Sequence, residues 1–450
     1  MSNPLPVLAQ SEGFDSYNPP ETSLIDACVH CGFCLPACPT YVLWGEEMDS
    51  PRGRIYMMNK VGTSQAPLTQ HFREHIDNCL GCMSCMTACP SGVQYNKLIE
   101  DTRGQVERNI PRPTGDSLFR KLLFATFPHI FRLRILAIPL LIYQRSGLQS
   151  LVRRLGLLRL LPKRLAAMEA LLPRVPLNPF RSLPTQINAT TAPARRRIGL
   201  LAGCVQQVFF QHVNEATIRV LAAEGFEVIV PPSQECCGAL MLHSGVEHEA
   251  AELAKKMIAR FEAANVDTVG INAAGCGSTM KEYGHLLRSD PAWAARAAAF
   301  SAKCRDITEV LTELPARATR HPLPMRIAYH DACHLRHAQG IYQQPRTLLA
   351  GIPGLEVAEV EEAQLCCGSA GVYNLLHPDP ANELGDRKVK HLLETRADAV
   401  VSANPGCLLQ LANGLRRRGQ EAIPAFHIVQ LLDASMRNQT LIQPATRSPD

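Results

Sequence analysis

The sequence predicts an α+β multidomain chain: a small helical, cysteine-rich N-terminal domain followed by two tandem α/β domains, each carrying a Cys-Cys-Gly turn. Three observations predict it. A cysteine motif occurs twice near the N-terminus. The second half of the chain repeats itself, cysteine for cysteine. Between the repeated cysteines, β-branched runs alternate with helical patterns, which argues for parallel sheets with right-handed crossovers. A chain of 450 residues is long enough for about three domains of ordinary size.

The N-terminal motif is Cys28-Val29-His30-Cys31-Gly32-Phe33-Cys34-Leu35-Pro36-Ala37-Cys38-Pro39, and it returns as Cys79-Leu80-Gly81-Cys82-Met83-Ser84-Cys85-Met86-Thr87-Ala88-Cys89-Pro90, with every cysteine shifted by 51 positions. This C-x2-C-x2-C-x3-C-P run is the bacterial pattern for a pair of [4Fe–4S] clusters, in which each fourth cysteine ligates the other cluster. A cube of iron and sulfide takes one thiolate at each iron, and three closely spaced cysteines wrap three corners. The pattern therefore assigns Cys28, Cys31, Cys34 and Cys89 to one cluster, and Cys79, Cys82, Cys85 and Cys38 to the other. Pro39 and Pro90 are expected to fix the backbone just after the crossing cysteine and not to extend a helix from it. Paired zinc sites also use C-x2-C, but two copies with the trailing proline favour iron. The unit reads as a two-cluster, ferredoxin-like domain over residues 21–115. Inside it, Ser50 and Pro51 read as the N-cap and first residue of a helix. Arg52 and Arg54 are expected to pack at that helix entry, the alternative being that they offset cluster charge.

Residues 1–20 are polar and proline-bearing and read as a flexible arm. Seventeen cysteines in so long a chain do not resemble a disulfide scaffold, and their clustering argues for metal in a reducing compartment. Met1-Ser2-Asn3-Pro4-Leu5-Pro6 has neither the basic nor the apolar part of a signal peptide. The longest strongly apolar run, Ile135 to Tyr143, is broken by Pro139 and is too short to span a membrane. A cytoplasmic protein is expected. Leu118 to Val175 carries eleven Lys or Arg against one acid, Glu169. Its Leu148, Leu151, Val152 and Leu155, with Arg153 and Arg154 between them, have helical spacing. Such a basic amphipathic segment either lies on an anionic membrane at the inner face of the cell or covers neighbouring domains. Few aromatics accompany the basic residues, so nucleic-acid binding is not expected. Residues 116–194 are accordingly a helical segment ending in a proline-rich linker from Pro176 to Ala194.

From Arg195 the chain duplicates. Arg197 to Leu201 leads to Cys204, as Arg326 to His330 leads to Cys333. Glu227 to Val230 leads to Cys236-Cys237-Gly238, as Leu355 to Val360 leads to Cys366-Cys367-Gly368. Asp267 to Asn272 leads to Cys276, as Asp398 to Asn404 leads to Cys407. The offsets are 129, 130 and 131. Two equivalent domains are expected, over 195–320 and 321–437. Helices are expected from Asn214 to Glu224, closed by Gly225, and along Leu253, Met257 and Phe261. In a parallel sheet every one of these cysteines falls beyond a strand's carboxyl end, where α/β sheets place ligands. Cys204, Cys236, Cys237 and Cys276 form one candidate cluster set, and Cys333, Cys366, Cys367 and Cys407 another. Gly238 and Gly368 permit the bend that turns paired sulfurs inward. Cys304 fits no pattern and reads as structural. His330 and His334 flank Cys333, where the first repeat has Leu201 and Val205. A supporting role beside a cluster and an ordinary hydrogen-bonded histidine are both open; His243 is a weaker candidate.

These residues resemble a known family. Cys28-Val29-His30-Cys31-Gly32-Phe33-Cys34, Ser50-Pro51-Arg52-Gly53-Arg54-Ile55, Cys89-Pro90-Ser91-Gly92-Val93-Gln94-Tyr95 and Tyr329-His330-Asp331-Ala332-Cys333-His334-Leu335-Arg336 look like the iron–sulfur subunits of glycolate oxidase (glycolate dehydrogenase). The resemblance spans about residues 21–435 and is weakest across 118–190. It implies an electron-transfer subunit working beside FAD-binding partner subunits and passing electrons from a 2-hydroxy acid toward a quinone. It places substrate and flavin on the partners, and no G-x-G-x-x-G follows a strand here. The wider Cys-Cys-Gly family includes lactate-utilisation proteins, the anaerobic glycerol-3-phosphate dehydrogenase small subunit and heterodisulfide reductases. Its fuller pattern ends in C-x2-C, where this chain has Ala273 and Asn404 in the first of those positions. That departure favours an electron relay over a disulfide-cleaving site. A disulfide reductase and a zinc-loaded scaffold are the competing readings.

Overall fold

A computed structural model describes residues 13–442. Residues 1–12 of the expected arm lie outside the described residues. Residues 13–20 correct the expectation, because Asp15 ties them down. Its carboxylate accepts from Arg108 at 3.0 Å and Asn109 at 2.8 Å, and its amide donates to Gln105 at 2.7 Å.

The N-terminal domain is helical, as expected. Its longer helices are Pro51–Gly62, Gln70–Asn78 and Tyr95–Asn109. They bury Met58, Ile76, Leu98, Ile99 and Val106 completely. Ser50 caps the first of them by accepting from the Gly53 amide at 3.0 Å. Beyond fixing the backbone after Cys38, Pro39 itself opens the helix Pro39–Trp44. Its missing N–H would be unpaired in the first turn anyway, and its fixed φ suits that position.

Two sheets follow. The first contains β1 (Gln186–Ile187), β2 (Arg197–Leu200), β3 (Glu227–Ile229), β4 (Thr268–Ile271) and β5 (Cys304–Asp306), in the order β1-β3-β2-β4-β5. The second contains β6 (Met325–His330), β7 (Leu355–Ala358), β8 (Ala399–Ser402) and β9 (Ala425–His427), in the order β7-β6-β8-β9. Apart from β1 the pairing is parallel throughout. The expected helices are present as Gln211–Ala223 and Glu247–Ala263, the second burying Leu253, Met257 and Phe261. In both sheets the strand order reverses beside the central strand, between β2 and β4 and between β6 and β8. That is the switch point at which α/β sheets bind ligands.

Two features go beyond the sequence reading. The proline-rich linker is docked: β1 lies inside it and pairs antiparallel with β3, Gln186 opposite Ile229. The domains expected over 195–320 and 321–437 also share one hydrophobic core. Ile198, Val220 and Val228 belong to the same buried cluster as Ile327, Val401 and Leu432. The helices Gln211–Ala223 and Ile428–Met436 pack together across the join. Arg219 pairs there with Asp433 through hydrogen bonds of 2.8 and 2.7 Å. Two sheets with apolar helices on both faces can bury those faces against each other, and a duplicated domain does so with itself.

Gly238 and Gly368 sit at φ 82° and 86°, in the left-handed region. A Cβ added at Gly368 would meet the Ala381 carbonyl oxygen at 2.4 Å, whereas one at Gly238 would meet the Ala250 oxygen at 3.1 Å. The backbone cost alone is about 1–2 kcal/mol for a residue with a side chain. Both variants carry that cost, and Gly368→Ala is expected to lose more stability than Gly238→Ala because of its closer approach. Anaerobic urea unfolding of the two variants checks it, and equal midpoints would contradict the close approach.

Candidate metal centres and the cavity between them

The first quartet lies near the surface. A small cavity of about 30 Å³ is lined by Cys28, Cys31, Cys34 and Cys89, with Arg52 beside them. The cysteine from the second motif thus joins three from the first. Cys31 is exposed, as are Val29 and Phe33 at 67% and 65%. Burial raises the Cys28 thiol, and the nearby Cys89 and Cys31 sulfurs add to it. Arg52 donates to the His30 carbonyl at 3.1 Å and pairs with Glu47.

The second quartet is buried, with Cys38 at 5%, Cys79 and Cys82 at 7% and Cys85 at 8% exposure. Burial pushes Cys85 well up, and the charges of Cys82, Cys38 and Cys79 push it further, which marks the four as one group. Cys79 goes the other way. Burial opposes its thiolate, but Arg54 and Arg103 outweigh burial and hold the thiol low. Arg54 is fully buried, ion-paired to Asp49 at 2.9 Å and bonded to Thr40 and the His75 carbonyl. Burying an ion costs several kcal/mol unless partners compensate. Here the partners include the thiolates themselves, so Arg54 combines packing with the charge role that the sequence reading held as its alternative.

In the Cys-Cys-Gly domains the cysteines converge at the switch points. Cys204 begins the helix after β2, and Cys276 lies in the helix after β4. The Cys204 Sγ lies 3.6 Å from that of Cys236. Hydrogen bonds from Cys236 and Cys276 hold the Cys237 thiol well below its ordinary range. The second domain repeats this: Cys333 lies 3.8 Å from Cys366, and bonds from Cys366 and Cys407 hold Cys367 low. Each set is therefore a continuous group of four sulfurs around one acidic thiol. This donor chemistry fits a thiolate-bound cluster. Cys304 stands apart at the start of β5, fully buried, donating to the Phe300 carbonyl at 3.5 Å. Asn404 donates to the Cys407 sulfur at 3.4 Å from the position where the longer motif has cysteine.

Both quartets face one apolar cavity of about 480 Å³. Its roof comes from the basic helices Thr114–Thr126, Ile130–Arg145 and Lys163–Ala170, through Leu123, Leu133, Leu136, Leu140 and Met168. The outer side of the roof remains apolar, with Phe131, Ile135, Ile138, Ile142 and Leu151 exposed. No single helix among the described residues is long and apolar enough to cross a membrane. His243 and His334, their rings 5.0 Å apart, line this cavity and also a polar cleft of about 270 Å³ beside Arg73, Asp77 and Arg112. His243 Nδ1 lies 3.0 Å from Glu100. Burial, reinforced by His243, pushes His334 down to about 4. The sequence reading did not foresee the cavity, since its roof and floor are far apart along the chain.

The buried quartet abuts the second of these domains. His334 Nε2 lies 2.8 Å from the Gly81 carbonyl oxygen, and Ser84 donates to the Gln364 carbonyl at 3.1 Å. Cys82 is close enough to Cys333 for its thiol to be raised by it, after burial.

Comparison with known proteins agrees with this layout. Residues 24–93 match the family described as a 4Fe-4S dicluster domain. Residues 115–172 match the linker region of the glycolate oxidase iron-sulfur subunit, and residues 198–281 and 327–412 match the cysteine-rich domain. The chain is 42% identical over 410 residues to the "Probable glycolate oxidase iron-sulfur subunit" of Bacillus subtilis (strain 168), covering 90% of this chain and 92% of that one. It is 33% identical to the glycolate oxidase iron-sulfur subunit of Escherichia coli (strain K12), covering 88% and 91%. Lactate utilization protein A of an Exiguobacterium strain is 30% identical across 53% of this chain and 98% of its own.

The crossed ligand sets have a direct test. Cys28→Ser with Cys89→Ser strikes one quartet, whereas Cys79→Ser with Cys89→Ser strikes two. The first pair is expected to lose about four irons and the second about eight. Anaerobic iron and sulfide analysis reads the difference, and the reverse order would show uncrossed ligation.

Proposed function

This chain belongs to the family of glycolate oxidase iron–sulfur subunits, and we propose that it carries electrons from a flavin-bearing glycolate (2-hydroxy acid) dehydrogenase partner toward a quinone. It is an iron–sulfur protein whose N-terminal dicluster domain takes two [4Fe–4S] clusters. The Cys-Cys-Gly quartets are proposed to hold the others. The clusters supply one-electron transfer when bound. The observation that carries the reading is the gradient of exposure along one continuous path. It begins at the exposed loop of Cys31 and passes inward through the buried quartet to Cys333 and the apolar cavity.

The residues take distinct parts. Val29 and Phe33 offer an apolar surface beside the outermost quartet, suited to the FAD-binding subunit as donor. Arg52 and Arg54 offset negative charge at the two N-terminal sites. The roofed cavity suits a lipophilic quinone, and reducing it to a quinol takes two electrons and two protons. His243, bonded to Glu100 and bordering the polar cleft, is positioned to bring the protons from water. The exposed apolar roof, basic over Leu118 to Val175, is proposed to rest on an anionic membrane surface at the inner face of the cell, where such quinones reside. The sixteen patterned thiols, none in a disulfide, support a reducing, cytoplasmic compartment.

In the assembled complex, Cys366→Ser with Cys367→Ser is expected to leave flavin reduction by glycolate intact and to abolish quinone turnover. Normal quinone turnover would show these cysteines to be structural. Arg154→Glu with Arg159→Glu is expected to release the complex from anionic vesicles at lower salt than the unmodified protein. Unchanged vesicle binding with loss of the flavoprotein would assign the roof to the partner instead.

A further inference from the structure

The two Cys-Cys-Gly sites are duplicates in sulfur but not in nitrogen. His330 ends β6 and lies opposite Ser402 of β8, at the carboxyl edge where the second quartet gathers. The residue is 2% exposed; its ring nitrogens meet no oxygen or nitrogen partner and face the Cys367 sulfur at hydrogen-bonding distance. A buried imidazole placed so is costly unless the sulfurs, or a metal that they hold, satisfy it. Its ligand nitrogen and the sulfurs of Cys367 and Cys407 all lie within 4.8 Å of one another. The equivalent residue in the first repeat is Leu201, which offers no donor.

A second difference points the same way. The long helix behind each Cys-Cys-Gly turn places Ala250 against Gly238 and Ala381 against Gly368. Carrying that register along the helices sets Lys388 in the second domain against Met257 in the first. Both side chains are buried, Lys388 at 1%. The Lys388 ammonium donates to the Glu362 carbonyl and lies within electrostatic reach of Cys367 and Cys366. The second site thus has a nitrogen donor and a buried cation where the first has two apolar side chains.

We propose that His330 is a ligand, through a ring nitrogen, of the metal cluster held by Cys333, Cys366, Cys367 and Cys407. This rests on the reading that the second quartet holds an iron–sulfur cluster. The ring nitrogen that faces the sulfurs is satisfied at iron. As a donor added to four thiolates, the imidazole brings no further negative charge, as a fifth thiolate would. The Lys388 cation, which the first site lacks, favours the extra electron of the reduced cluster. The second site is therefore the more easily reduced of the pair, and electrons arriving from Cys82 come to rest there, at the floor of the cavity.

The test uses the anaerobically purified complex with histidine labelled in ¹⁵N. Pulsed electron paramagnetic resonance of the reduced protein is expected to show a strongly coupled histidine nitrogen. His330→Leu, which installs the residue of the first repeat, should lose that coupling while circular dichroism and the signals of the other clusters persist. His330→Cys should retain the full iron content, lose the coupling and lower the midpoint potential of one cluster only. Full iron in the unmodified complex without a strongly coupled histidine, or a coupling that survives His330→Leu, overturns the ligation and leaves the relay standing. Unchanged iron content in the Cys366→Ser, Cys367→Ser complex overturns the cluster reading itself, and the ligation with it.

Discussion

In each Cys-Cys-Gly domain, four sulfurs arrive from three separate chain segments and must meet within a few ångströms. A parallel sheet solves this because every crossover returns the chain to the same edge. Cys204, the Cys236–Cys237 pair and Cys276 each follow a strand running in the same direction. The reversal of strand order beside the central strand then opens a gap at that edge, and the sulfurs line it. Left-handed glycines after the paired cysteines turn both sulfurs toward the gap. The fold, the shared cavity and the docking of the N-terminal domain all follow from filling that gap twice.

Electrostatics imposes the complementary demand. Sulfurs grouped this closely favour the protonated state unless cations or hydrogen bonds intervene. The protein answers differently at different depths. At the buried N-terminal quartet, Arg54 and Arg103 hold Cys79 low. In the later domains the sulfurs share protons among themselves, with Cys237 and Cys367 as the acidic members. The outermost quartet is open to solvent at Cys31 and has Arg52 beside it.

Much of this was legible in the sequence, for a physical reason. Cluster ligation needs fixed residue types at fixed spacing, so the crossed quartets and the 129- to 131-residue repeat are visible without coordinates. Helices with a strong apolar stripe, such as Glu247–Ala263, announce themselves by period. What stayed hidden depends on contacts across long separations. The strand β1 is too short to show alternation and exists because β3 has a free edge. Asp15 is anchored by residues some ninety positions away. His330 was legible as a histidine near a cysteine, but its place against Cys367 and Cys407 follows from the sheet's pairing, which no local pattern encodes.

The shared core gives the duplication a further meaning. Two copies of a domain usually imply two objects that can be cut apart, rearranged or lost singly. Here the division holds for the sheets and the metal sites but not for the core between them. Ile198 and Val220 belong to one dry interior with Ile327 and Leu432, and Arg219 reaches Asp433 across the nominal boundary. A single repeat expressed alone would present that interior to solvent as a sticky wall. A cut between the repeats exposes apolar surface on both sides, so the doublet is the unit whose interior stays dry.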